Sequence, residues 1–208
     1  MWDRAPRLAN PKRYGLLGLP GSGKTFLTQK IQEILLAHPH PGEEIQFISY
    51  GSVMAQIVAE KGLTRDQMRD LPLHEQLAIG IKAAGKIAAL PGRYIIVDTH
   101  ALVKARGAFV PGFAPKVYRQ LAPQGLIFID VAPSILLKRR AQDPLRVRNA
   151  EDLPALHLHR TVSLSYVAAL AAHYGTPFAV IPNDADGQAS AQKMLDFIFH
   201  ERLTHLIG

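Results

Sequence analysis

The chain has 208 residues, 48% of them hydrophobic and 20% charged, with a net charge of +7 and no cysteine. That length suits one domain with its own buried core, and the missing cysteine excludes disulfides, thiolate zinc sites and cysteine nucleophiles. No run reaches the roughly 18 apolar residues of a membrane span, and "MWDRAPRLANPKR" has no apolar secretion-signal region, so a cytoplasmic protein with a short N-terminal extension is expected.

Residues 13–17 (RYGLL) form a short apolar run before a glycine turn, as a buried parallel strand would. A helix follows from Thr25 to Ala37, with Leu27, Ile31, Ile34 and Leu35 on one face, and Pro39 to Gly42 break it. "EIQFISY" (44–50) is the second strand. Residues 51–91 read as three helical pieces, the second opened by Thr64, and are too long for one crossover helix. They suggest a helical insertion. "RYIIVDTH" (93–100) is an apolar strand delivering Asp98 at its carboxyl end, and "GLIFIDV" (125–131) repeats the design with Asp130. A helix starts near Pro133, and a basic, irregular piece over 141–150 suggests a small lid. A long helix stopped by Gly175, the strand "PFAVIP" (177–182) and a closing helix complete the chain. The alternation predicts an α/β fold: a five-stranded parallel sheet between two helical layers, in a single domain over 1–208.

The stretch Gly18-Leu19-Pro20-Gly21-Ser22-Gly23-Lys24-Thr25 matches G-x-x-x-x-G-K-[ST] in full, with a strand before it and an amphipathic helix after it. Its glycines let backbone N–H groups turn inward around an oxyanion, and the helix N-terminus adds partial positive charge. Lys24 is expected to reach the β- and γ-phosphates of ATP, and the Thr25 hydroxyl to bind Mg²⁺. Asp98 is the preferred second metal anchor, because "DTH" leads into a loop containing glycine and proline; Asp130 reads better as a structural carboxylate. Arg139, Arg140, Arg146 and Arg148 lie within ten residues, with Asp143-Pro144 between the pairs. Beside a phosphate loop they read as donors for a transferring phosphoryl group; alone they would read equally well as a solvated charged loop. His157 and His159, two apart on a helix, point to different faces and read as ordinary helix residues rather than metal ligands.

Taken in order, "GLPGSGKT", "ISYGSVM", "RDQMRDLP" with Glu75-Gln76, "VDTH" with Lys104 and "FVPGF", and "RR…RVRN" resemble the archaeal-type adenylate kinases of the nucleoside monophosphate kinase group, from about Tyr14 to Asn183. The resemblance implies direct phosphoryl transfer from Mg-ATP to AMP, giving two ADP. It implies that Gly51 and Ser52 lie near AMP, that Arg69 grips its phosphate, and that His100 or Lys104 faces it. Arg140, Arg146 and Arg148 would bind ATP and the transferring group. The acceptor is already anionic at neutral pH, so alignment and charge neutralisation suffice without a general base. The family includes oligomers, so self-association is open, whereas a membrane or nucleic-acid partner is not expected. Two other readings compete: a small-metabolite kinase acting on a hydroxyl such as that of shikimate or gluconate, with Asp98 as base, and a nucleotide-switched RNA- or protein-binding factor.

Overall fold

A computed structural model describes residues 10–37, 44–105, 107–142 and 152–199. The chain runs β1 (Lys12–Gly18), α1 (Lys24–Ala37), β2 (Ile45–Ser49), α2 (Tyr50–Ala59), α3 (Arg65–Asp70), α4 (Leu73–Ala88) and β3 (Tyr94–Asp98). It continues through β4 (Leu102–Ala105), β5 (Ala108–Pro111), α5 (Pro115–Leu121), β6 (Gly125–Asp130), α6 (Pro133–Ala141), α7 (Leu153–Tyr174), β7 (Phe178–Pro182) and α8 (Gly187–Phe199). Residues 143–150, most of the expected lid, lie outside the described residues and include Arg146 and Arg148.

Five strands form one parallel sheet in the order β2-β3-β1-β6-β7. The expected five-stranded α/β architecture is therefore present. Successive side chains of a strand point to opposite faces, and the core divides accordingly. Leu17, Ile95, Val97, Leu126 and Phe128 join one apolar cluster, whereas Leu16, Ile96, Ile127 and Ile129 join the other. The first cluster is closed by residues of α2, α4, α5 and α7, and the second by α1 and α8. Each fully buried Leu, Ile or Phe contributes about 1.5–3 kcal/mol relative to exposure. Because both faces are covered, the strands are apolar nearly throughout rather than alternating.

The helical insertion between β2 and β3 is held by specific local chemistry. Ser49 caps α2, accepting from the Ser52 N–H. Thr64 and Gln67 form a reciprocal capping box at the start of α3. The Gln76 side-chain amide then donates to the carbonyls of Arg69 and Leu71, fastening α4 to the end of α3.

One element goes beyond the sequence reading. Residues 102–111, read as a loop after "DTH", form an antiparallel β-hairpin of β4 and β5, turning at Gly107 with φ +79°. His159 Nε2 lies 3.3 Å from the Leu102 carbonyl, and its ring is tilted against Phe109 at 5.2 Å between centroids, so α7 backs the hairpin. Among the described residues, no helix is long and apolar enough to cross a membrane.

Candidate functional site

The connection leaving β1 runs to one side of the sheet, towards β2, while those leaving its neighbours β3 and β6 run to the other. The carboxyl end of β1 is thus a topological switch point, where open α/β sheets bind ligands. The register aligns Leu16, Ser49 and Asp98 in one row across three strands. With strands about 4.8 Å apart, the start of α2 stands roughly 10 Å from the end of β1.

Residues 18–25 make the turn from β1 into α1. Gly18, Gly21 and Gly23 all take positive φ, at +153°, +91° and +86°. Two of these glycines also have no room for a side chain: a Cβ on Gly18 would stand 2.8 Å from the Ile129 carbonyl oxygen, and one on Gly23 would stand 2.5 Å from Asn183 Nδ2. Ser22 is buried, and its Oγ makes no hydrogen bond among the described residues. Lys24 is buried at the N-terminus of α1; its ammonium donates to the Gly18 carbonyl at 3.2 Å and stands 3.8 Å from Asp98 Oδ1. Thr25, next in the helix, is exposed.

The two strand-end aspartates differ sharply. Asp98 is 28% exposed and shares the switch point with Lys24. Asp130 is engaged by Arg160 of α7, which donates through Nε at 2.6 Å and Nη2 at 2.5 Å. This bidentate pairing raises the Arg160 pKa, chiefly through the hydrogen bond to Asp130. Magnesium ions keep several waters and take one or two hard oxygen ligands from protein beside those of phosphates. The hydroxyl of Thr25 and the carboxylate of Asp98 fit that donor set. Among the described residues there is no group of three or more His, Cys, Asp and Glu that would form an all-protein cage.

The arginine cluster separates into different positions. Arg139 donates to the carbonyls of Asn183 and Asp184. Arg140 donates through Nε to the Pro20 carbonyl at 3.0 Å, on the phosphate loop itself.

On the other side of β3, Gly51 and Ser52 open α2, and the Ser52 hydroxyl donates to Ser49 Oγ. The guanidinium of Arg65 lies over this turn, 3.2 Å from where a Cβ on Gly51 would stand. Arg69, expected to grip a phosphate, is 66% exposed and pairs with Asp66 of its own helix. Lys104 sits on β4, exposed, opposite Phe109. His100 is brought to the phosphate loop, its Nδ1 3.2 Å from the Gly18 carbonyl oxygen. Burial, followed by the charge of Lys24, pushes its pKa down to about 3, so the ring is neutral at physiological pH. Of the two helix histidines, His157 is exposed and His159 buried, on opposite faces of α7.

Sequence reasoning passed over Arg65 and Asn183. Arg65 carried a signal: a cation in the first turn of a helix opposes the macrodipole, so its presence there needs another reason. Asn183 carried none, because its contact with the loop spans 161 residues.

The family described as an AAA domain matches residues 17–157. The chain is 31% identical over 159 residues to an adenylate kinase of Pyrobaculum aerophilum, covering 75% of this chain and 77% of that one. It is 32% identical over 177 residues to an adenylate kinase of Methanothermobacter thermautotrophicus, covering 84% and 91% respectively. Among solved structures, a shikimate kinase from Bacteroides thetaiotaomicron superposes with a TM-score of 0.58 at 14% identity, covering 90% of this chain and 98% of that one, a likeness of fold.

Proposed function

We propose that this chain, which belongs to the archaeal-type adenylate kinases of the P-loop group, is a phosphotransferase that moves the terminal phosphoryl group of ATP onto AMP. The observation that carries the reading is the pair of basic edges at one switch point. On one side of β3 stands the phosphate loop with Lys24, and on the other stands Arg65 over Gly51 at the head of α2. A spacing of roughly 10 Å along the row suits two nucleotides meeting phosphate to phosphate.

In this reading residues 18–25 bind the triphosphate through backbone N–H groups, and Lys24 exchanges its bond with Gly18 for the β- and γ-phosphates. Arg140, already on the loop at Pro20, neutralises charge on the transferring group. Gly51, Ser52 and Arg65 receive the acceptor phosphate. Arg69, Lys104, Arg146 and Arg148 enter on the resemblance alone. Thr25 and Asp98 would hold Mg²⁺, which offsets charge on the bridging oxygens of the triphosphate. A phosphate oxygen of AMP is anionic at neutral pH, so the side chains align and neutralise rather than abstract a proton.

The test mixes purified protein with Mg-ATP and a panel of acceptors, including AMP, other nucleoside monophosphates, shikimate and gluconate, and follows ADP. Strong stimulation by AMP is expected. Phosphorylation of a hydroxyl acceptor with AMP inert would replace the reading with a metabolite kinase. ATP binding without transfer to any acceptor would replace it with a nucleotide switch.

A further inference from the structure

We infer that Asn183 and His100 are positioning residues that hold the phosphate loop in its anion-binding shape from outside, through two of its carbonyl oxygens. The inference rests on the reading of residues 18–25 as the triphosphate site. A loop that turns its N–H groups inward turns carbonyls outward, and a buried outward carbonyl needs a donor. Three alternate carbonyls of this loop have one from a different part of the chain. Gly18 accepts from His100 Nδ1 at 3.2 Å, Pro20 from Arg140 Nε at 3.0 Å, and Ser22 from Asn183 Nδ2 at 2.8 Å.

Asn183 is built for this contact. It is buried, and its own backbone is pinned at both ends: its N–H donates to the Asp130 carbonyl at 2.8 Å and its carbonyl accepts from Arg139 at 2.8 Å. Its amide nitrogen sits where a side chain on Gly23 would be, which ties the glycine and the asparagine together as one device. Beside His100 the backbone of Gly112 approaches so closely that a Cβ there would stand 2.5 Å from the His100 carbonyl oxygen. A carbonyl can only accept, so Nδ1 must carry the hydrogen in this contact.

The choice of donors follows from the chemistry. Lys24 also bonds Gly18, but has to leave it to reach a phosphate. His100 then keeps that carbonyl satisfied. The Asn183 amide is uncharged, so it neither repels Lys24 nor competes with it for the anion. A loop held this way meets its ligand already shaped, and the gain appears in affinity for the triphosphate.

Calorimetric titration of Mg-ATP, with no acceptor present, tests the inference directly. Asn183→Ala, the isosteric Asn183→Asp and His100→Phe should each weaken ATP binding by ~10–100-fold, the cost of a buried acceptor losing its donor. His100→Gln, whose amide offers another N–H, should recover much of the loss. KM for AMP should stay within about twofold of wild type in every variant, a split that a general loss of structure would not produce. The inference is overturned if ATP affinity stays within about twofold once the donors are gone, or if both KM values rise together. Failure of both Asn183 variants to fold would equally overturn it, by making Asn183 a residue of the core. A wild-type protein that binds ATP yet phosphorylates no AMP would defeat the proposed function and leave this inference standing.

Discussion

Asp98 and Asp130 end their strands in the same way, and exchanging each for asparagine separates their roles. Asp130 receives two short, charge-assisted hydrogen bonds from Arg160. An asparagine there keeps one acceptor and turns an N–H group towards the guanidinium, so at least one bond is lost and the cation goes unneutralised. Bonds to charged groups contribute about 1.5–3 kcal/mol each when sheltered. Arg160 is 33% exposed, and water partly takes over, so about 2 kcal/mol for the pair is the fair figure. In a chain of this size that lowers the melting temperature by about 4–8 °C. Turnover at a temperature where the variant is folded should stay within about twofold of wild type. Asp98→Asn should instead cut turnover by at least ~100-fold, as removing one element of transition-state charge stabilisation does. Thermal denaturation and coupled ADP release measure both. A folded Asp130→Asn protein that is catalytically dead, or an Asp98→Asn protein at wild-type speed, would refute the assignment of the two carboxylates.

Lys24→Ala should lower turnover by at least ~100-fold with the melting temperature of a folded protein, and wild-type rates would remove the loop from catalysis. Gly23→Ala forces a side chain into a backbone at φ +86° and onto Asn183, so it should destabilise by about 1–2 kcal/mol and weaken ATP; an unchanged melting curve and affinity would contradict the loop geometry. Arg65→Ala should raise KM for AMP by ~10–100-fold, while Arg69→Ala, whose side chain is paired with Asp66, should raise it less; the opposite order in steady-state kinetics would restore Arg69 as the main phosphate ligand. Chelation with EDTA should stop ADP formation and added Mg²⁺ restore it, whereas persistence in excess chelator would remove the metal from the scheme.

The fold was legible because parallel strands buried on both faces are written as apolar runs, and because Gly, Pro and Thr64 punctuate the helices between them. The β4–β5 hairpin was not. Its strands are four residues each, Val103 and Lys104 are exposed, and the flanking glycines and prolines look like loop. In the site, Lys24 and Thr25 are local reading, fixed by their distance from the glycines. The stretch after Asp98 gave a local cue to prefer it over Asp130, but the residue that engages Asp130 is not local. Arg160 follows Asp130 by thirty residues and meets it only after α7 has packed across the sheet. Arg65 is a different case: its place in the first turn of α3 was a signal, but that it faces Gly51 shows only in the structure, because a glycine has no side chain to mark the contact.

The position of β1 in the middle of the sheet has a consequence for how the molecule comes into being. β1 has no partner until β3, roughly 75 residues later, and none on its other side until β6. At about 5–20 residues per second, β1 waits about 4–15 s on the ribosome before its first backbone ladder can close. All its pairings are long-range and parallel, the slowest kind to find. The phosphate loop is therefore translated early and assembled late. Its last donor, Asn183, follows β7, so a nascent chain gains its complete nucleotide grip only after the strand farthest from β2 has been made.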